Sequence, residues 1–316
     1  MIVTVTPNPS LDRSLEVAAL ERGGVLRAEH VRVDPGGKGI NVATALTVNG
    51  HPSRAVVPAG GYEGDQLCDA VTAAGIDVIR VPIDHPIRTN ISLVEPDGTV
   101  TKVNAPGPAF DDTQTQALTH AAVDAIEDAT WVAGCGSLPP GAPDDLYARL
   151  VEAAHTQGAR VAIDAAGAAL LAALDAGPDL IKPNVHELAE ATGRVLRRLG
   201  DVLDAASELH QRGVACVAAS LGPDGAVLLD ADGVWHATTP PIVVRSAVGA
   251  GDSMVAGLLA AGGHGPAALR HGVAYGSAAA QLPGTQLPRP HDLDLEAVTV
   301  TALDPDRILT EPGGKL

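Results

Sequence analysis

The chain alternates short apolar, β-branched runs with longer stretches of helical periodicity, and this alternation restricts it to few architectures. These runs are too apolar for apolar and polar residues to alternate regularly along them. A nearly continuous apolar run is typical of a strand that is buried on both faces. They lie at residues 2–6, 53–57, 131–133, 160–163, 179–181 and 214–219. Helical spacing predicts helices over residues 38–48, 64–74, 113–128, 143–157, 202–212, 252–261 and 266–281. We therefore predict a doubly wound α/β fold, a mostly parallel sheet with helices on both faces.

Two regions, 11–33 and 87–103, do not follow this alternation of buried strands and helices. Polar and apolar residues alternate there around turn signals such as Pro96-Asp97-Gly98, which is typical of antiparallel ribbons. We predict that both ribbons pair into one small, discontinuous β-sheet lid. The α/β domain then comprises residues 1–10, 34–86 and 104–310, and residues 311–316 form a frayed tail.

Composition narrows the possible partners. With 316 residues and 46% hydrophobic content, the chain is long enough for one large or two ordinary globular domains. A net charge of −17 argues against nucleic acid and anionic membranes as partners, and an aromatic content of 2% argues against base stacking. Three scattered cysteines without metal-type spacing, no signal peptide and no membrane-length apolar run predict a cytoplasmic protein.

The segment Gly249-Ala250-Gly251-Asp252 precedes an apolar helix. Its glycines can bring backbone N–H groups close to a phosphate, and the helix dipole favours an anion at the same place. Asp252 would then take a proton from a hydroxyl that attacks the phosphorus. An ordinary helix start, with glycine in the turn and aspartate as N-cap, fits the segment equally well.

A second glycine cluster, Pro35-Gly36-Gly37-Lys38-Gly39-Ile40-Asn41, also precedes an apolar helix. It has neither the Walker A spacing nor the dinucleotide-binding glycine pattern. The alternative is a turn with a solvated lysine. Glycines at a helix start are unfavourable for helix propensity, which favours ligand binding by Lys38 and Asn41.

Together the two glycine motifs resemble the ribokinase-like (PfkB) family of carbohydrate kinases, and most closely its hexose-phosphate branch. Further segments follow in the order typical of the family: Asn8-Pro-Ser-Leu-Asp12, Arg88-Thr-Asn90, Gly136-Ser-Leu-Pro-Pro-Gly141, Lys182-Pro-Asn184-Val-His-Glu187 and Ser220-Leu-Gly222. The resemblance implies an ATP-dependent kinase whose acceptor is a ketohexose phosphate. Fructose 1-phosphate is the expected acceptor, with tagatose 6-phosphate and fructose 6-phosphate as alternatives.

The resemblance also implies roles for individual residues. Asp252 would be the base, with Gly249, Ala250 and Gly251 as the anion hole. The sugar phosphate would be held by Asp12, Arg27, Gly37, Lys38, Asn41, Arg88 and Ser137. Taken alone, Asp12 is also typical of a turn residue. Arg27 and Arg88, taken alone, could each be a solvated side chain on a ribbon.

For the nucleotide, the resemblance implies contacts from Lys182, Asn184, Ser220, Gly222, Gly225 and Ser277. Asn184 and Glu187 share a helix face, so both could order Mg²⁺ through water. The same pair fits a capping box, and the two roles are compatible. Leu282-Pro283-Gly284 stands where many relatives carry an asparagine-containing stretch, and Ala247 where many carry threonine.

Two other classes of function compete with the kinase. A sugar-phosphate sensor would keep the pocket without chemistry, but it has no need for Asp252 or the Asn184 and Glu187 pair. A phosphatase or lyase on the same fold would need a nucleophile elbow or a metal cluster, and the sequence offers neither. Ribbon lids expose edges and apolar faces, which predicts a homodimer formed through the lid.

Overall fold

The computed structural model describes residues 1–314, and within them sixteen strands and nine α-helices form. The strands are β1 (Ile2–Val5), β2 (Ser10–Glu16), β3 (His30–Gly36), β4 (Ser53–Ala59), β5 (Asp77–Pro82), β6 (Arg88–Val94), β7 (Val100–Val103), β8 (Trp131–Cys135), β9 (Arg160–Asp164), β10 (Leu180–Ile181), β11 (Leu196–Arg198), β12 (Val217–Ser220), β13 (Ala226–Asp230), β14 (Gly233–Thr238), β15 (Thr299–Ala302) and β16 (Ile308–Gly313). The helices are α1 (Lys38–Val48), α2 (Gly61–Ala73), α3 (Asp112–Asp124), α4 (Leu146–Thr156), α5 (Gly167–Leu174), α6 (Val185–Thr192), α7 (Leu199–Gln211), α8 (Ala250–Ala260) and α9 (Gly265–Ala280).

Ten strands form one large sheet in the order β15-β14-β13-β12-β10-β9-β8-β1-β4-β5. The strands from β12 to β5 run parallel, and β13, β14 and β15 extend the sheet in antiparallel fashion at one edge. Buried side chains of α3 to α7 pack on one face, and those of α1, α8 and α9 pack on the other. The predicted doubly wound fold is confirmed.

The strands β3, β2, β6 and β7 form a second sheet in that order, called the small sheet below. It consists of two antiparallel pairs, β2 with β3 and β6 with β7, which β2 and β6 join by parallel pairing. The predicted pairing of two separate ribbons is therefore confirmed. Strand β3 extends to Gly36, beyond the predicted end of its ribbon at residue 33. The register places Asp12 opposite both Asp34 and Asn90.

The C-terminal segment differs from the predicted frayed tail over residues 311–316. Residues 311–313 belong to β16, which pairs with β11 in antiparallel fashion. The carboxylate of the buried Asp224 holds β16 in place, because it accepts hydrogen bonds from the backbone N and Oγ1 of Thr310 at 2.6 and 3.1 Å. The last two residues of the predicted tail lie outside the described residues.

Helices α8 and α9 approach each other through glycine, which suits a core with few aromatic side chains. A Cβ on Gly257 would stand 2.5 Å from the backbone oxygen of His271, and one on Gly272 would stand 2.9 Å from Cγ of Leu258. Both helices must separate to accept a larger residue. This close contact fixes the position of α8, whose first turn carries the glycine motif.

We expect Gly257→Ala to lower the free energy of unfolding by roughly 1–3 kcal/mol, because the added methyl group overpacks the contact between the helices. Gly251→Ala, in the same helix, is the matched control. A Cβ there would meet only the flexible side chain of Lys182, at 3.4 Å, so its free energy of unfolding should change by less than about 0.5 kcal/mol. Urea denaturation measures both values, and equal stability of the two variants would contradict this account of the packing.

Candidate active site

The start of α8 has the geometry of an anion site. Gly249 is the N-cap with φ 77° and ψ −5°, a left-handed conformation that favours glycine. The first N–H groups of a helix lack intrahelical partners, and the helix dipole adds partial positive charge at this end. Lys182 Nζ lies near Gly251, 3.4 Å from the position that a Cβ would take. An ammonium group and backbone donors therefore face the same small volume.

A buried carboxylate, Asp164, organises the charges beside this turn. Its Oδ1 lies 3.1 Å from Lys38 Nζ and 3.4 Å from Lys182 Nζ. Burial favours the neutral form of Asp164, but the two ammonium groups outweigh burial and hold its pKa below the ordinary value. Its Oδ2 is buried and has no hydrogen-bond partner among residues 1–314. Asp164 was not among the residues selected from the sequence, although it joins the lysines of two separate motifs.

Asp252 lies in the first turn of α8 and is 7% exposed. Burial, followed by the negative charge of Asp164, raises its pKa to about 6. Asn41 Nδ2 donates a hydrogen bond to Asp252 Oδ2 at 2.7 Å, which opposes the rise together with Lys38 and Lys182. The carboxylate is therefore poised to exchange a proton near neutral pH.

The second glycine motif places Lys38 and Asn41 at the start of α1. Gly37 has φ 127°, a conformation that other residues rarely adopt, and a side chain on Gly39 would overlap Oγ1 of Thr6. Helix α1 can therefore begin directly against the end of β1. Burial alone would lower the pKa of Lys38, but Asp164, Glu187 and Asp252 together raise it, which keeps the ammonium group charged.

Asp12 lies within strand β2 rather than in a turn. Its Oδ1 accepts hydrogen bonds from Ser10 Oγ at 2.7 Å and from Asn90 Nδ2 at 2.9 Å. The carboxylate packs against Gly36, where a Cβ would stand 2.6 Å away. The first glycine of the motif therefore makes room for the aspartate of the small sheet. Neither Gly36 nor Asn90 was among the selected residues, although both lie inside motifs that the sequence analysis quoted.

Arg88 connects the small sheet to the end of β1. Its Nη2 donates to the backbone oxygen of Asn8 at 2.9 Å, and its Nη1 donates to that of Ala105 at 3.1 Å. Its Nε is buried and finds no hydrogen-bond partner in the described part of the chain. Asn8 in turn donates through Nδ2 to Ser137 Oγ at 3.4 Å. Arg27 is exposed between β2 and β3 and makes no hydrogen bond or ion pair with another selected residue within residues 1–314.

Asn184 and Glu187 form the capping box of α6. Oδ1 of Asn184 accepts from the backbone N of His186 and of Glu187, both at 2.9 Å, and Oε2 of Glu187 accepts from the backbone N of Asn184 at 2.8 Å. This arrangement leaves Oε1 of Glu187 outside the box. Within residues 1–314, no three His, Cys, Asp or Glu side chains cluster as a metal site, so protein ligands alone do not form a cage.

The remaining selected residues adjoin this edge of the sheet. Ser220 ends β12 and forms a parallel bridge with Asn184. Gly225 has φ 82°, and a side chain there would overlap the backbone oxygen of Ala237, so the fold itself requires this glycine. Gly222 has φ 58°, and Ser277 is half-buried on α9.

A parallel sheet that carries anion-binding N–H groups and a near-neutral carboxylate at its carboxyl edge has the equipment of a phosphotransferase. Comparisons with known proteins agree. The sequence profile of the pfkB family carbohydrate kinases matches residues 8–292, and the chain belongs to this family. It is a phosphotransferase that acts on an alcohol group of a sugar.

The chain is similar to relatives of two named activities. It is 38% identical to the 1-phosphofructokinase of Rhodobacter capsulatus over 95% of this chain and 96% of the relative. It is 37% identical to the ATP-dependent 6-phosphofructokinase isozyme 2 of Escherichia coli over 90% and 94%. The crystal structure of Escherichia coli phosphofructokinase-2 in complex with potassium superimposes with a TM-score of 0.88, at 36% identity over 92% of this chain and 96% of that one.

No helix of residues 1–314 combines the length and the apolar character of a membrane span.

The raised pKa of Asp252 has a consequence for stability. A carboxyl group whose pKa rises from 3.8 to about 6 on folding binds its proton more tightly in the folded state, so it destabilises the fold above pH 6. We expect Asp252→Asn to raise the free energy of unfolding at pH 8 by on the order of 2–3 kcal/mol. The gain should shrink as the pH falls from 6 towards 4.

Urea denaturation at pH 8 and pH 5 measures this gain, and Asp84→Asn, at an exposed position, is the control. A loss of stability at pH 8, or a gain that does not depend on pH, would contradict the assignment of a buried carboxylate with a raised pKa.

Proposed function

We propose that this kinase transfers the γ-phosphoryl group of ATP to a hydroxyl of a ketohexose phosphate, with fructose 1-phosphate as acceptor and fructose 1,6-bisphosphate as product. The observation that carries the proposal is the buried Asp252, with its pKa near 6, in the helix turn that starts at the left-handed Gly249 and has Lys182 beside it. A general base works best when its pKa lies near the operating pH.

In the proposed reaction, the acceptor hydroxyl lies against Asp252 and attacks the γ-phosphorus in line. As the new O–P bond forms, the hydroxyl proton passes to the Asp252 carboxylate. The bond between the γ-phosphorus and the bridging oxygen breaks, and ADP leaves with that oxygen. The N–H groups of Gly249, Ala250 and Gly251 and the ammonium group of Lys182 would stabilise the charge on the transferred group.

Positive charge on the acceptor side supports a phosphorylated sugar. Lys38 is held charged by Asp164, and Arg88 keeps its Nε without a partner. Asp12 would accept hydrogen bonds from sugar hydroxyls, and Asn41, Ser137 and Gly37 would complete the pocket. The exposed Arg27 is the least supported member of the set, because within residues 1–314 no hydrogen bond or ion pair joins it to the other members.

For the nucleotide, we propose contacts from residues at the ends of β10, β12 and α9: Lys182, Asn184, Ser220, Gly222, Gly225 and Ser277. Mg²⁺ fits Glu187, whose Oε1 lies outside the capping box and can accept from a metal-bound water, with Asn184 beside it. Bound there, Mg²⁺ would neutralise phosphate charge during the transfer.

Two acceptors compete with fructose 1-phosphate. The identities to a 1-phosphofructokinase and to a 6-phosphofructokinase are nearly equal, at 38% and 37%, so fructose 6-phosphate is a strong alternative. Tagatose 6-phosphate is the other alternative, because it is also a ketohexose phosphate and carries the same hydroxyl and phosphate groups. All three acceptors use the same base and the same anion hole.

We expect a coupled ADP-release assay with Mg-ATP to show the highest kcat/KM with fructose 1-phosphate, compared with fructose 6-phosphate, tagatose 6-phosphate and unphosphorylated fructose. A preference for another ketose phosphate would keep the mechanism and replace the acceptor.

Asp252→Asn should lower kcat by roughly 10²- to 10⁴-fold while sugar-phosphate binding survives. Sugar-phosphate binding without turnover by the wild type would favour the sensor instead.

We also propose a homodimer formed through the small sheet. Val31, Ile91 and Val103 are 58%, 36% and 60% exposed, and the strand register places all three on the face opposite to Asp12. Exposed apolar residues on one sheet face favour burial against a second copy.

Light scattering should therefore give the mass of two chains for the wild type and of one chain for Val31→Lys. Val195→Lys, at another exposed valine, should leave the mass unchanged. A single-chain mass for the wild type at assay concentration would contradict the dimer.

A further inference from the structure

The segment that follows α9, residues 282–289, lies between the small sheet and the anion-binding turn. It is called the connecting segment below. Nothing in the proposed chemistry uses it, yet it contacts three parts of the molecule that surround the site.

At its first end the connecting segment binds strand β3 through a three-membered network. Arg32 Nε lies 2.7 Å from Asp34 Oδ2, and Arg32 Nη2 donates to Thr285 Oγ1 at 3.1 Å. Thr285 Oγ1 donates in turn to Asp34 Oδ2 at 3.1 Å. Gly284 has φ 65°, and a Cβ there would stand 2.6 Å from Arg32 Nη2, so the arginine packs directly on the backbone.

At its other end the connecting segment reaches the anion-binding turn and α1. Leu287 Cδ2 lies 3.3 Å from the position that a Cβ on Gly249 would take, so this side chain covers the left-handed glycine. The backbone oxygen of Pro288 accepts a hydrogen bond from Asn49 Nδ2 at 2.8 Å. Asn49 is the C-cap of α1, which carries Lys38 and Asn41 at its other end. The segment is thus fixed to the large domain.

The network also has a defined place on the small sheet. Asp34 lies directly opposite Asp12 in the β2 and β3 pair, and opposed residues of an antiparallel pair project from the same face. The aspartate that binds Thr285 is therefore the neighbour of the aspartate proposed to bind the sugar. A movement of β3 away from Thr285 would carry Asp12 with it.

We propose that Arg32, Asp34 and Thr285 form a latch that holds the small sheet closed over the transfer site and so keeps water from the γ-phosphorus. The inference rests on the proposed function, because it assigns the small sheet as the lid of that site. All three are positioning residues, and none touches the reacting atoms. With the latch loosened, water replaces the sugar hydroxyl as nucleophile, and ATP yields ADP and inorganic phosphate instead of ADP and a sugar bisphosphate.

The geometry favours a latch over an ordinary surface ion pair. An exposed pair of Arg32 and Asp34 within one strand would contribute little. Here the threonine hydroxyl accepts from the arginine and donates to the aspartate, so one group of the connecting segment satisfies both partners. Closure of a lid that excludes water is a common requirement in phosphoryl transfer.

The test compares the wild type with Thr285→Val, which removes the hydroxyl at nearly constant volume, and with Asp34→Asn. Thr299→Val, at an exposed threonine on β15, is the matched control. ADP and sugar bisphosphate are measured in the same reaction. We expect the fraction of ADP formed without sugar phosphorylation, and the KM for the sugar phosphate, to rise at least threefold in both latch variants. The KM for ATP should stay within twofold of the wild type.

Hydrogen exchange of the substrate-free protein gives a second readout that does not depend on the acceptor. Amides of β3 should exchange at least threefold faster in Thr285→Val than in the wild type and in the control. An unchanged ratio of ADP to product, or unchanged exchange in β3, would overturn the latch. A wild type that phosphorylates no sugar on the panel would instead refute the proposed function, and the exchange result would still decide whether Thr285 holds the small sheet.

Discussion

The site depends on one buried carboxylate, Asp164, held between two lysines. A buried carboxylate without a partner would be costly, and two ammonium groups within 3.4 Å convert it into a charged anchor. The cluster keeps one net positive charge, which remains beside Asp252 and the start of α8. Removing either lysine would leave Asp164 under-compensated, and removing Asp164 would leave two like charges facing each other. Asp164 therefore links Lys38, at the start of α1, to Lys182, after β10, by electrostatics.

The fold brings these groups together because parallel strands end at the same edge of the sheet. Asp164 ends β9, Lys182 follows β10, and α1 begins against the end of β1. Glycine makes the approach possible, since α1 and α8 both start at residues whose positive φ favours glycine. Gly257 and Gly272 likewise let α8 lie close to α9. Strand β2 of the small sheet carries Asp12, the residue proposed to bind the sugar, directly against Gly36.

Much of this architecture could be predicted from local pattern. Helix α1 was predicted at its observed bounds, because glycines mark its start and its apolar spacing is regular. Strand β5, over Asp77–Pro82, was missed because it is a half-exposed edge strand whose residues lack a buried run. The antiparallel strands β13 to β15 were not predicted either, and β14 and β15 also lack a continuous buried run. Residues 311–313, the end of β16, were predicted to belong to a frayed tail because they contain proline and glycine. Only the tertiary structure shows that β11 pairs with this strand and that Asp224, far away in sequence, holds it.

Motifs in the sequence selected residues that lie close together in the fold, whereas a single residue that only the tertiary structure brings beside them was missed. Asp252, Lys38 and Asn41 stand in glycine motifs and do meet in space. Asp164 is a single aspartate at a strand end, and only strand order places it between two lysines. The capping box of Asn184 and Glu187, by contrast, follows from their spacing in the sequence, and the structure forms it. Arg88 donates to backbone oxygens, a structural use that sequence alone did not suggest.

The central claim is that burial and the negative charge of Asp164 raise the pKa of the Asp252 carboxyl group to about 6. Carbon-13 NMR of protein labelled at the aspartate carboxyl carbons tests it directly, with the resonance of Asp252 assigned by its absence in Asp252→Asn. The account predicts that this resonance titrates with a midpoint near pH 6 in the substrate-free protein. A midpoint near the ordinary aspartate value of 3.8 would contradict it, because Asp252 would then be an unperturbed carboxylate and a poor base.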